Sequence, residues 1–203
     1  LAAVGRLAGG VAHEIRNPLS SIKGFATYFR DRYRGVEEDR RTAEIMIQEV
    51  DRLNRVVGQL LEFARPVAVD KKPVRPDVVV RRATKLIEPQ AEARGIRLET
   101  RLPDAGRVPL DTDRMGQVLL NLLLNAVEAM PEGGTLTVTA EIDEGEGTAR
   151  FTVRDTGRGI AKEDLAQVFD PYFTTKPTGT GLGLAVVHKI VESHGGVVRV
   201  VSE

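Results

Sequence analysis

Two long amphipathic helices at the start of the chain constrain the fold more than any other feature. Apolar residues recur at steps of three and four over Val4–Phe29, the spacing of one face of a helix. A near-perfect seven-residue repeat follows over Ala43–Ala64, and the polar stretch Asp31–Asp39 between them predicts a turn. A single helical hairpin cannot cover both apolar stripes, whereas two hairpins can pack as a four-helix bundle. We therefore expect a homodimer through residues 1–65.

A change of pattern after the hairpin indicates a second domain. Prolines punctuate a polar stretch that predicts a linker at residues 67–76. The elements predicted beyond it are a helix from an Asp77 N-cap to Arg94 with Gly95 as C-cap, a strand at Ile96–Leu102, a helix from an Asp113 N-cap to Met130, antiparallel strands at Leu136–Ile142 and Phe151–Val153, a helix at Gly183–His194 and a strand at Val197–Val201. The irregular stretch Gly157–Gly181 predicts a long mobile loop.

The expected fold class is α+β, with an N-terminal helical hairpin that forms a dimeric four-helix bundle, followed by an α/β sandwich domain. The predicted boundaries are 1–66 for the helical domain, 67–76 for the linker and 77–203 for the sandwich domain.

Composition excludes several functional classes. Lys and Arg together number 29, as do Asp and Glu, so the formal net charge is zero and we expect no nucleic-acid partner. The absence of cysteine excludes a disulfide scaffold, a thiol nucleophile and a cysteine-based zinc site. No apolar run approaches the roughly 18 residues that cross a bilayer, so we expect no direct membrane contact from these residues. The chain opens on Leu1 rather than Met, which predicts a piece of a longer protein.

The first helix carries an unusual histidine. At about 100° per residue, His13 points roughly 180° away from the apolar stripe, which excludes a core histidine and leaves a surface or a functional one. Its neighbours favour function, because Glu14 puts a carboxylate beside the imidazole and Asn17 puts a carboxamide one turn on. A carboxylate that accepts from one ring nitrogen makes the other nitrogen a better nucleophile. Pro18 removes a helical N–H, so we expect a bend there.

The same residues match a zinc-binding motif poorly. The string resembles the HExxH motif of zinc peptidases, but Asn17 stands where the second histidine would be. The only other histidines are His188 and His194. This set makes a zinc peptidase a weak alternative.

Two asparagines lie four residues apart, Asn121 and Asn125, on an otherwise apolar predicted helix. Burying two unpartnered amides would cost roughly a few kcal/mol. Either the amides bond to nearby backbone, or their oxygens face a hard cation such as Mg²⁺ or phosphate-bound water. Their repetition on one helix face favours the second interpretation.

Two glycine-rich strings extend this predicted nucleotide site. In Asp155-Thr-Gly157-Arg-Gly159 the glycines permit close approach of a ligand, and the Asp155 carboxylate can accept from an exocyclic amine. Gly179-Thr180-Gly181-Leu-Gly183 opens a helix, where free backbone N–H groups can bind phosphate. It is neither a Rossmann fingerprint nor a lysine-bearing phosphate loop. Each string alone is weak, and their order after the asparagine pair is specific.

Together these strings resemble the catalytic core of bacterial two-component sensor histidine kinases over nearly the whole chain. The motifs that carry the resemblance are an H box at His13–Leu19, an N box at Asn121–Asn125, a G1 box at Asp155–Ile160, an F box at Phe169–Lys176 and a G2 box at Gly179–Leu184. The residues of these motifs are most similar to those of nitrogen- and zinc-responsive sensor kinases that pair with sigma-54-dependent response regulators.

The resemblance implies a dimerisation and phosphoacceptor domain followed by a Bergerat-type (GHKL) ATP-binding domain, with ATP and Mg²⁺ as cofactors. It implies autophosphorylation of His13 assisted by Glu14, then transfer to an aspartate of a response regulator receiver domain. Asn17 would position water for the reverse dephosphorylation of that regulator. The implied contacts are Asn121 and Asn125 for Mg²⁺ and, for the nucleotide, these two with Asp155, Gly157, Gly159, Lys176, Gly179, Thr180, Gly181 and Gly183.

The chain departs from the pattern of this family in two places. Many relatives carry a lysine three residues after the second asparagine, where this chain has Glu128, so a phosphate contact is not expected there. The family's sheet usually continues past its final strand, whereas this chain stops at Glu203, which predicts a C-terminally truncated ATP-binding domain.

Two further functions stay open beside histidine kinase. An ATP-binding dimeric switch that acts mainly as a regulator phosphatase would keep the nucleotide strings without needing His13. A gyrase-like ATPase would need a general-base glutamate, and Asn121 stands where such ATPases carry one. The resemblance also implies the cytoplasmic portion of a membrane-anchored bacterial sensor.

Overall fold

The computed structural model describes the backbone of residues 2–32, 37–64, 66–102, 106–143, 145–176 and 179–202, with their side chains except those of residues 2–14, 55 and 62. It divides into two compact units, Leu1–Pro66 with Thr174–Leu182, and Val67–Phe173 with Gly183–Glu203. The elements are α1 (Ala2–Arg32), α2 (Glu37–Ala64), β1 (Lys72–Val74), α3 (Pro76–Ala93), β2 (Ile96–Arg101), β3 (Val108–Leu110), α4 (Thr112–Ala129), β4 (Gly134–Asp143), β5 (Thr148–Asp155) and α5 (Gly183–Ser193). None of the described helices is both long and apolar enough to cross a membrane.

The first unit is built on α1 and α2, which pack side by side and confirm the predicted helical hairpin. Its interior is a narrow stripe along each helix, with buried side chains at seven-residue intervals. These are Leu19 and Ala26 on α1, and Ala43 and Val50 on α2. An ion pair joins the helices on the outside, with 2.7 Å between Lys23 Nζ and Asp51 Oδ1. α1 continues through Pro18 without interruption of its helical assignment.

The predicted turn at Asp31–Asp39 is too long. α1 continues to Arg32, and α2 already begins at Glu37. Arg40 explains the early start, because its guanidinium lies 2.6 Å from a carboxylate oxygen of Glu37 and of Glu44. Ion pairs at this helical spacing and acidic residues in the first turn both favour helix over turn.

The second unit contains a three-stranded sheet in the order β2-β4-β5, in which β2 and β4 are parallel. β4 and β5 are antiparallel and pair Val138 with Val153, which confirms the predicted antiparallel pair. Leu136, Val138 and Ala140 alternate into the core along β4. α3 and α4 pack on the sheet and α5 packs on α4, so the α+β class is confirmed. The helices contribute buried side chains that include Ile87, Leu119, Leu123, Val187 and Ile190.

Part of the predicted linker belongs to a second small sheet. β1 (Lys72–Val74) pairs antiparallel with β3 (Val108–Leu110), and Pro73 lies opposite Pro109. A three-residue strand that contains proline has no alternating pattern of its own. Only its partner, far along the chain, identifies it.

The predicted N-caps of α3 and α4 are wrong by two residues in each case. Arg75 is the N-cap of α3, and Asp77 lies inside the first turn. Asp111 is the N-cap of α4, where its carboxylate accepts from the backbone N–H of Asp113 and Arg114. Aspartate is favoured both at the cap and in the first turn, so composition alone does not separate the two positions.

Glycines follow two helix ends in the left-handed conformation. Gly95 has φ +66° and comes one residue after Arg94, the observed C-cap of α3. Gly195 has φ +72° and follows α5, which ends at Ser193. Only glycine adopts this conformation without a Cβ penalty, which is why both positions were readable from the sequence.

The predicted strand at Val197–Val201 is absent from the described residues. The segment has no ladder partner, and Val197 and Val201 are 80% and 86% exposed. The contact that holds it is between Ser202 and Ile160, whose backbone N–H donates to the serine Oγ at 2.8 Å. Alternation of apolar residues predicts a strand only where a neighbouring strand completes its hydrogen bonds.

Asp77 gives the second unit a pH-dependent contribution to stability. Its side chain is 9% exposed, and Arg75 donates to both carboxylate oxygens at 2.9 Å. The bonds from Arg75 lower the pKa of this carboxyl despite its burial, and Arg81 adds a weaker attraction. We expect Asp77→Asn to lower the free energy of unfolding by about 1–2 kcal/mol at pH 7.

Because the folded-state pKa is below the unfolded one, this contribution is present above about pH 4 and is lost as pH falls through the folded-state pKa. Denaturant unfolding of both chains at pH 7 and pH 3 measures it. The matched control is Asp113→Asn, whose carboxylate is 86% exposed beside Arg82 and should change stability by less than about 0.5 kcal/mol. Equal losses for the two variants, or a loss for Asp77→Asn that grows at pH 3, would contradict the assignment.

Candidate active site

The two asparagines of α4 meet the start of α5. Asn121 Nδ2 donates to the carbonyl oxygen of Gly183 at 3.3 Å. A Cβ added at Gly183 would lie 4.0 Å from Asn125 Nδ2, so the first residue of α5 passes close to both amides. Both asparagines are half-buried, whereas Leu123 between them is fully buried. The polar pair therefore lies on the margin of the core, facing the helix that the third glycine of the G2 box opens.

The turn after β5 is held against the end of the same helix. Gly157 donates its N–H to Asp155 Oδ1 at 2.9 Å, and Arg158 donates its N–H to the carbonyl of Ala129 at 3.1 Å. A Cβ on Gly157 would lie 2.6 Å from that carbonyl oxygen, a distance that no side chain accommodates. Gly159 has φ +69°, which lets the chain turn away again. The structure thus brings the N-box helix and the G1 turn together.

Thr156 strengthens this junction and was missed in the sequence. Its Oγ1 accepts from the backbone N–H of Thr135 at 3.0 Å and lies 3.8 Å from Met130 Sδ. The carbonyl of Ala129 was missed as well. Because every residue carries a carbonyl, no residue type in the sequence marks the carbonyl that Gly157 approaches. Thr156, in contrast, lies within the Asp155–Gly159 string, so its position was a signal that could have been used.

The remaining glycine-rich residues belong to the first unit, within Thr174–Leu182. Lys176 donates its backbone N–H to Thr174 Oγ1 at 3.1 Å, and a Cβ on Gly179 would collide with the same hydroxyl. Gly181 has φ +67°. Thr180 donates its hydroxyl to Gln59 Oε1 of α2, a contact that the sequence did not predict. The structure therefore places four predicted site residues in the same compact unit as the helical hairpin, and the asparagines in the other unit. These four are Lys176, Gly179, Thr180 and Gly181.

The F box contains the one non-glycine residue with positive φ among the described residues, Tyr172 at +70°. Its side chain is 62% exposed, so packing does not explain the conformation. Nearby, Phe169 lies 5.7 Å from His188 between ring centroids. A left-handed conformation at a tyrosine stores roughly 1–2 kcal/mol of strain, and such strain is found most often at functional sites.

The H box lies on α1. His13 and Glu14 are within the helix, and their side chains lie outside the described residues. Asn17 is described and exposed, and its backbone carbonyl accepts from Ser21 Oγ at 3.3 Å. Leu19, the last residue of the box, is buried in the hairpin.

The residues present fit a magnesium ion whose ligands come partly from the protein and partly from phosphate. Among the described side chains, no group of three His, Cys, Asp or Glu residues could hold a metal. Mg²⁺ is commonly held by one or two protein oxygens together with phosphates and water. Asn121 uses its amide nitrogen on Gly183, which leaves its oxygen for such a ligand role. Glu128 is exposed further along α4, and its carboxylate cannot donate to phosphate.

Two protein-family models match the chain. The description "His Kinase A (phospho-acceptor) domain" covers residues 3–68, and "Histidine kinase-, DNA gyrase B-, and HSP90-like ATPase" covers residues 110–203. Sensor histidine kinase ZraS of Escherichia coli (strain K12) is 48% identical over 204 residues, which are 100% of this chain and 43% of that protein. The chain thus spans less than half the length of this curated relative.

Solved structures of two histidine kinases have the same fold. Full-length ShkA in complex with AMPPNP gives a TM-score of 0.75 at 30% identity, over 94% of this chain and 41% of that one. ThkA in complex with the response regulator protein TrrA gives 0.66 at 31% identity, over 97% and 57%. The catalytic domain of ThkA alone gives 0.53 at 35% identity, over 60% and 80%.

The phosphoacceptor match falls on the hairpin that carries His13, and the ATPase match falls on the asparagine helix and the glycine turns. Relatives that match both halves include the sensor histidine kinase ZraS and the signal transduction histidine-protein kinase AtoS of Escherichia coli (strain K12). The chain belongs to the sensor histidine kinase family.

Proposed function

We propose that the chain transfers the γ-phosphoryl group of ATP to His13 and then to an aspartate of a response regulator. The observation that carries this proposal is the hydrogen bond of Asn121 to Gly183, close to Asn125 and beside the G1 turn that is held against the same helix. ShkA was solved with AMPPNP, which supports an ATP-type ligand for this fold.

The nucleotide would lie along α4. The Asp155 carboxylate would accept from the exocyclic amine of adenine, with Gly157 and Gly159 leaving room for the ring. Gly183, at the start of α5, would present backbone N–H groups to phosphate. Residues 158–180 would act as a lid that brings Lys176 to phosphate, and Gly179 and Gly181 would supply backbone donors. Thr180 would exchange its present partner Gln59 for the nucleotide.

Asn121 and Asn125 would hold Mg²⁺ through their amide oxygens. The ion, when bound, would neutralise charge on the phosphates of ATP. The role of the chain is to fix the two amides one helical turn apart, and the fully buried Leu119 and Leu123 anchor α4 in the core.

At His13 the lone pair of one ring nitrogen would attack the γ-phosphorus. A P–N bond forms as the P–O bond to the β-phosphate breaks, and ADP leaves. Glu14 would accept the proton on the other ring nitrogen and so support the charge that develops on the ring. An aspartate carboxylate of the regulator would then attack the phosphohistidine, forming a P–O bond and restoring the imidazole.

A response regulator is the partner that this chemistry requires, and ThkA was solved in complex with one. Asn17, exposed one turn after His13, is suited to position water for the reverse dephosphorylation of the regulator. We propose this phosphatase role together with the kinase role. Regulators of sigma-54-dependent transcription are the partner class suggested by the residues of the H, F and G2 boxes. We propose that the chain is the cytoplasmic portion of a membrane-anchored sensor.

A homodimer through residues 1–65 is supported by two exposed apolar stripes. Apolar side chains at seven-residue steps on each helix stay 39–46% exposed while their neighbours are buried. They are Ile15, Ile22 and Phe29 on α1, and Met46, Leu53 and Leu60 on α2. Stripes with this spacing are the surface that a second hairpin covers in a four-helix bundle.

The direct test is incubation of the chain with Mg²⁺ and γ-labelled ATP. We expect label on the protein that is acid-labile and base-stable, as a phosphorus–nitrogen bond is. Release of labelled phosphate without a labelled protein would favour a gyrase-like ATPase. Nucleotide binding with neither labelled protein nor phosphate release would favour the dimeric switch that acts as a phosphatase.

Gly157→Ala tests the nucleotide site without touching His13. The new Cβ would meet the Ala129 carbonyl oxygen at 2.6 Å, and backbone must shift because no flexible side chain can yield. We expect the dissociation constant for an ATP analogue with Mg²⁺, measured by calorimetry, to rise at least about tenfold. Gly116→Ala on α4 is the matched control, since a Cβ added at Gly116 would meet nothing within 4 Å. Equal affinities for the two variants would argue against nucleotide binding at the G1 turn.

A further inference from the structure

His194, at the end of α5, bonds to two elements through its ring. Nδ1 lies 2.8 Å from the carbonyl oxygen of Ile190, one turn back on α5. Nε2 accepts from the backbone N–H of Asp111 at 3.2 Å, and Asp111 is the N-cap of α4. The side chain is half-buried between these partners. The ring therefore ties the last turn of α5 to the first turn of α4.

These partners fix the protonation state of the ring. A carbonyl oxygen only accepts, so Nδ1 carries a proton, and a backbone N–H only donates, so Nε2 carries a lone pair. The imidazole that fits the site is neutral. A second proton would place an N–H on Nε2 against the N–H of Asp111 and break that bond.

Charged groups of three elements surround this ring. The Asp111 carboxylate accepts from the backbone N–H of Asp113, Arg114 and Asp70. Burial opposes its charge, but these three bonds, with a smaller electrostatic contribution from His194, outweigh burial and hold the pKa of Asp111 below its usual range. Lys71 donates to the backbone carbonyl of His194 at 2.7 Å. Two further pairs lie nearby, Lys72 with Asp70, and His188 with Glu192 on α5 itself.

The tie at His194 lies at one end of the contact between α4 and α5. The bond from Asn121 to Gly183 lies at the far end of α5. The two helices pack against each other and contribute buried apolar side chains, among them Leu119 on α4 and Val187 on α5. Apolar contact is non-directional and leaves the sliding of one helix along the other weakly determined. A shift of one residue along a helix is about 1.5 Å, enough to separate Gly183 from the asparagines.

We propose that neutral His194 is a positioning residue for the nucleotide site, which sets the register of α5 on α4 and so holds Gly183 against Asn121 and Asn125. It touches no ligand itself. The inference rests on the proposed nucleotide site and deepens it, because loss of the acceptor at Nε2 would release the start of α4 from the end of α5.

The test compares three variants with the parent. His194→Leu removes both bonds, and we expect the dissociation constant for an ATP analogue with Mg²⁺ to rise about tenfold at pH 7.5, as for the net loss of one hydrogen bond. His194→Gln keeps an acceptor for the Asp111 N–H and does not titrate, so it should stay within about threefold of the parent. His188→Gln is the matched control on the same helix.

Rescue by the conservative variant separates positioning from a merely structural role. Affinity lost in His194→Leu should return in His194→Gln, while His188→Gln stays within about threefold of the parent. Nitrogen-15 NMR of the parent should show the Nδ1–H tautomer at His194, and the Asp111 amide proton should lose protection from exchange in His194→Leu.

Unchanged affinity in His194→Leu, or a loss in His194→Gln as large as that in His194→Leu, would overturn the inference while leaving the nucleotide site intact. An Nε2–H tautomer at His194 would overturn it as well. A parent chain that binds no nucleotide at any pH would contradict the proposed function and this inference together.

Discussion

A His13→Gln variant is expected to incorporate no acid-labile phosphate from ATP, a loss of at least about a thousandfold relative to the parent. The amide of glutamine has no basic lone pair to attack phosphorus, whereas it resembles imidazole in size and polarity. The variant should bind an ATP analogue as the parent does, because His13 is not among the residues proposed to bind nucleotide. Labelling with γ-labelled ATP and calorimetry measure the two properties separately.

The control for His13→Gln is His188→Gln, which changes an exposed histidine of α5 that pairs with Glu192. It should retain acid-labile label. Residual label of the same stability in His13→Gln would place the phosphoacceptor elsewhere. The dephosphorylation of a phosphorylated regulator is informative in the same variant. If it persists at the parent rate while label is lost, the kinase and phosphatase activities use different residues of the H box.

The double variant Ile22→Glu, Leu53→Glu is expected to be monomeric at concentrations where the parent is a dimer. Both side chains are more than 40% exposed in the single chain and lie in the seven-residue stripes. In a twofold dimer each change occurs twice, so four carboxylates would enter an apolar interface. At about 2 kcal/mol or more per unpaired charge, the dissociation constant should rise by more than about a thousandfold. Sedimentation equilibrium gives the mass directly.

Leu86→Glu is the matched control for the double variant. Leu86 is 60% exposed on α3, outside both stripes, and the change should leave the oligomeric state as it is in the parent. A double variant that sediments as a dimer would show that association uses another surface. A parent that sediments as a monomer at all concentrations would remove the homodimer from the proposal.

Local patterns in the sequence were sufficient for most of the secondary structure. The helical hairpin, the antiparallel pair β4–β5 and the start of α5 at Gly183 follow from periodicity and glycine placement. The errors lie where a short-range rule allows two outcomes. Asp77 and Asp113 are first-turn residues rather than N-caps, and Asp31–Asp39 contains helix that ion pairs of Arg40 extend. Aspartate suits a cap and a first turn equally, so the sequence could not choose.

Recognition of the site from sequence rested on residue types whose chemistry is unusual in their setting. The informative features are two asparagines on an apolar helix, a histidine on a polar face and glycines in a fixed order. Their side chains, or for glycine the lack of one, indicate a function. The sequence could not say which neighbours these residues meet. Only the structure identifies Thr156 and Gln59 as neighbours of these residues. Thr156 accepts a hydrogen bond from Thr135, and Gln59 accepts one from Thr180.

The sequence by itself determined the two helices and the alternation of the central strand, and it supplied the residues that we propose bind nucleotide, because periodicity and side-chain chemistry act over a few neighbouring positions. Only the tertiary structure decided that Gly157 lies on the Ala129 carbonyl, that Asn121 bonds to Gly183 and that His194 caps the contact of α5 with α4. It also decided that β1 forms a sheet and that Val197–Val201 does not. In each of these cases at least one partner is a backbone group distant along the chain, and backbone groups are the same in every residue.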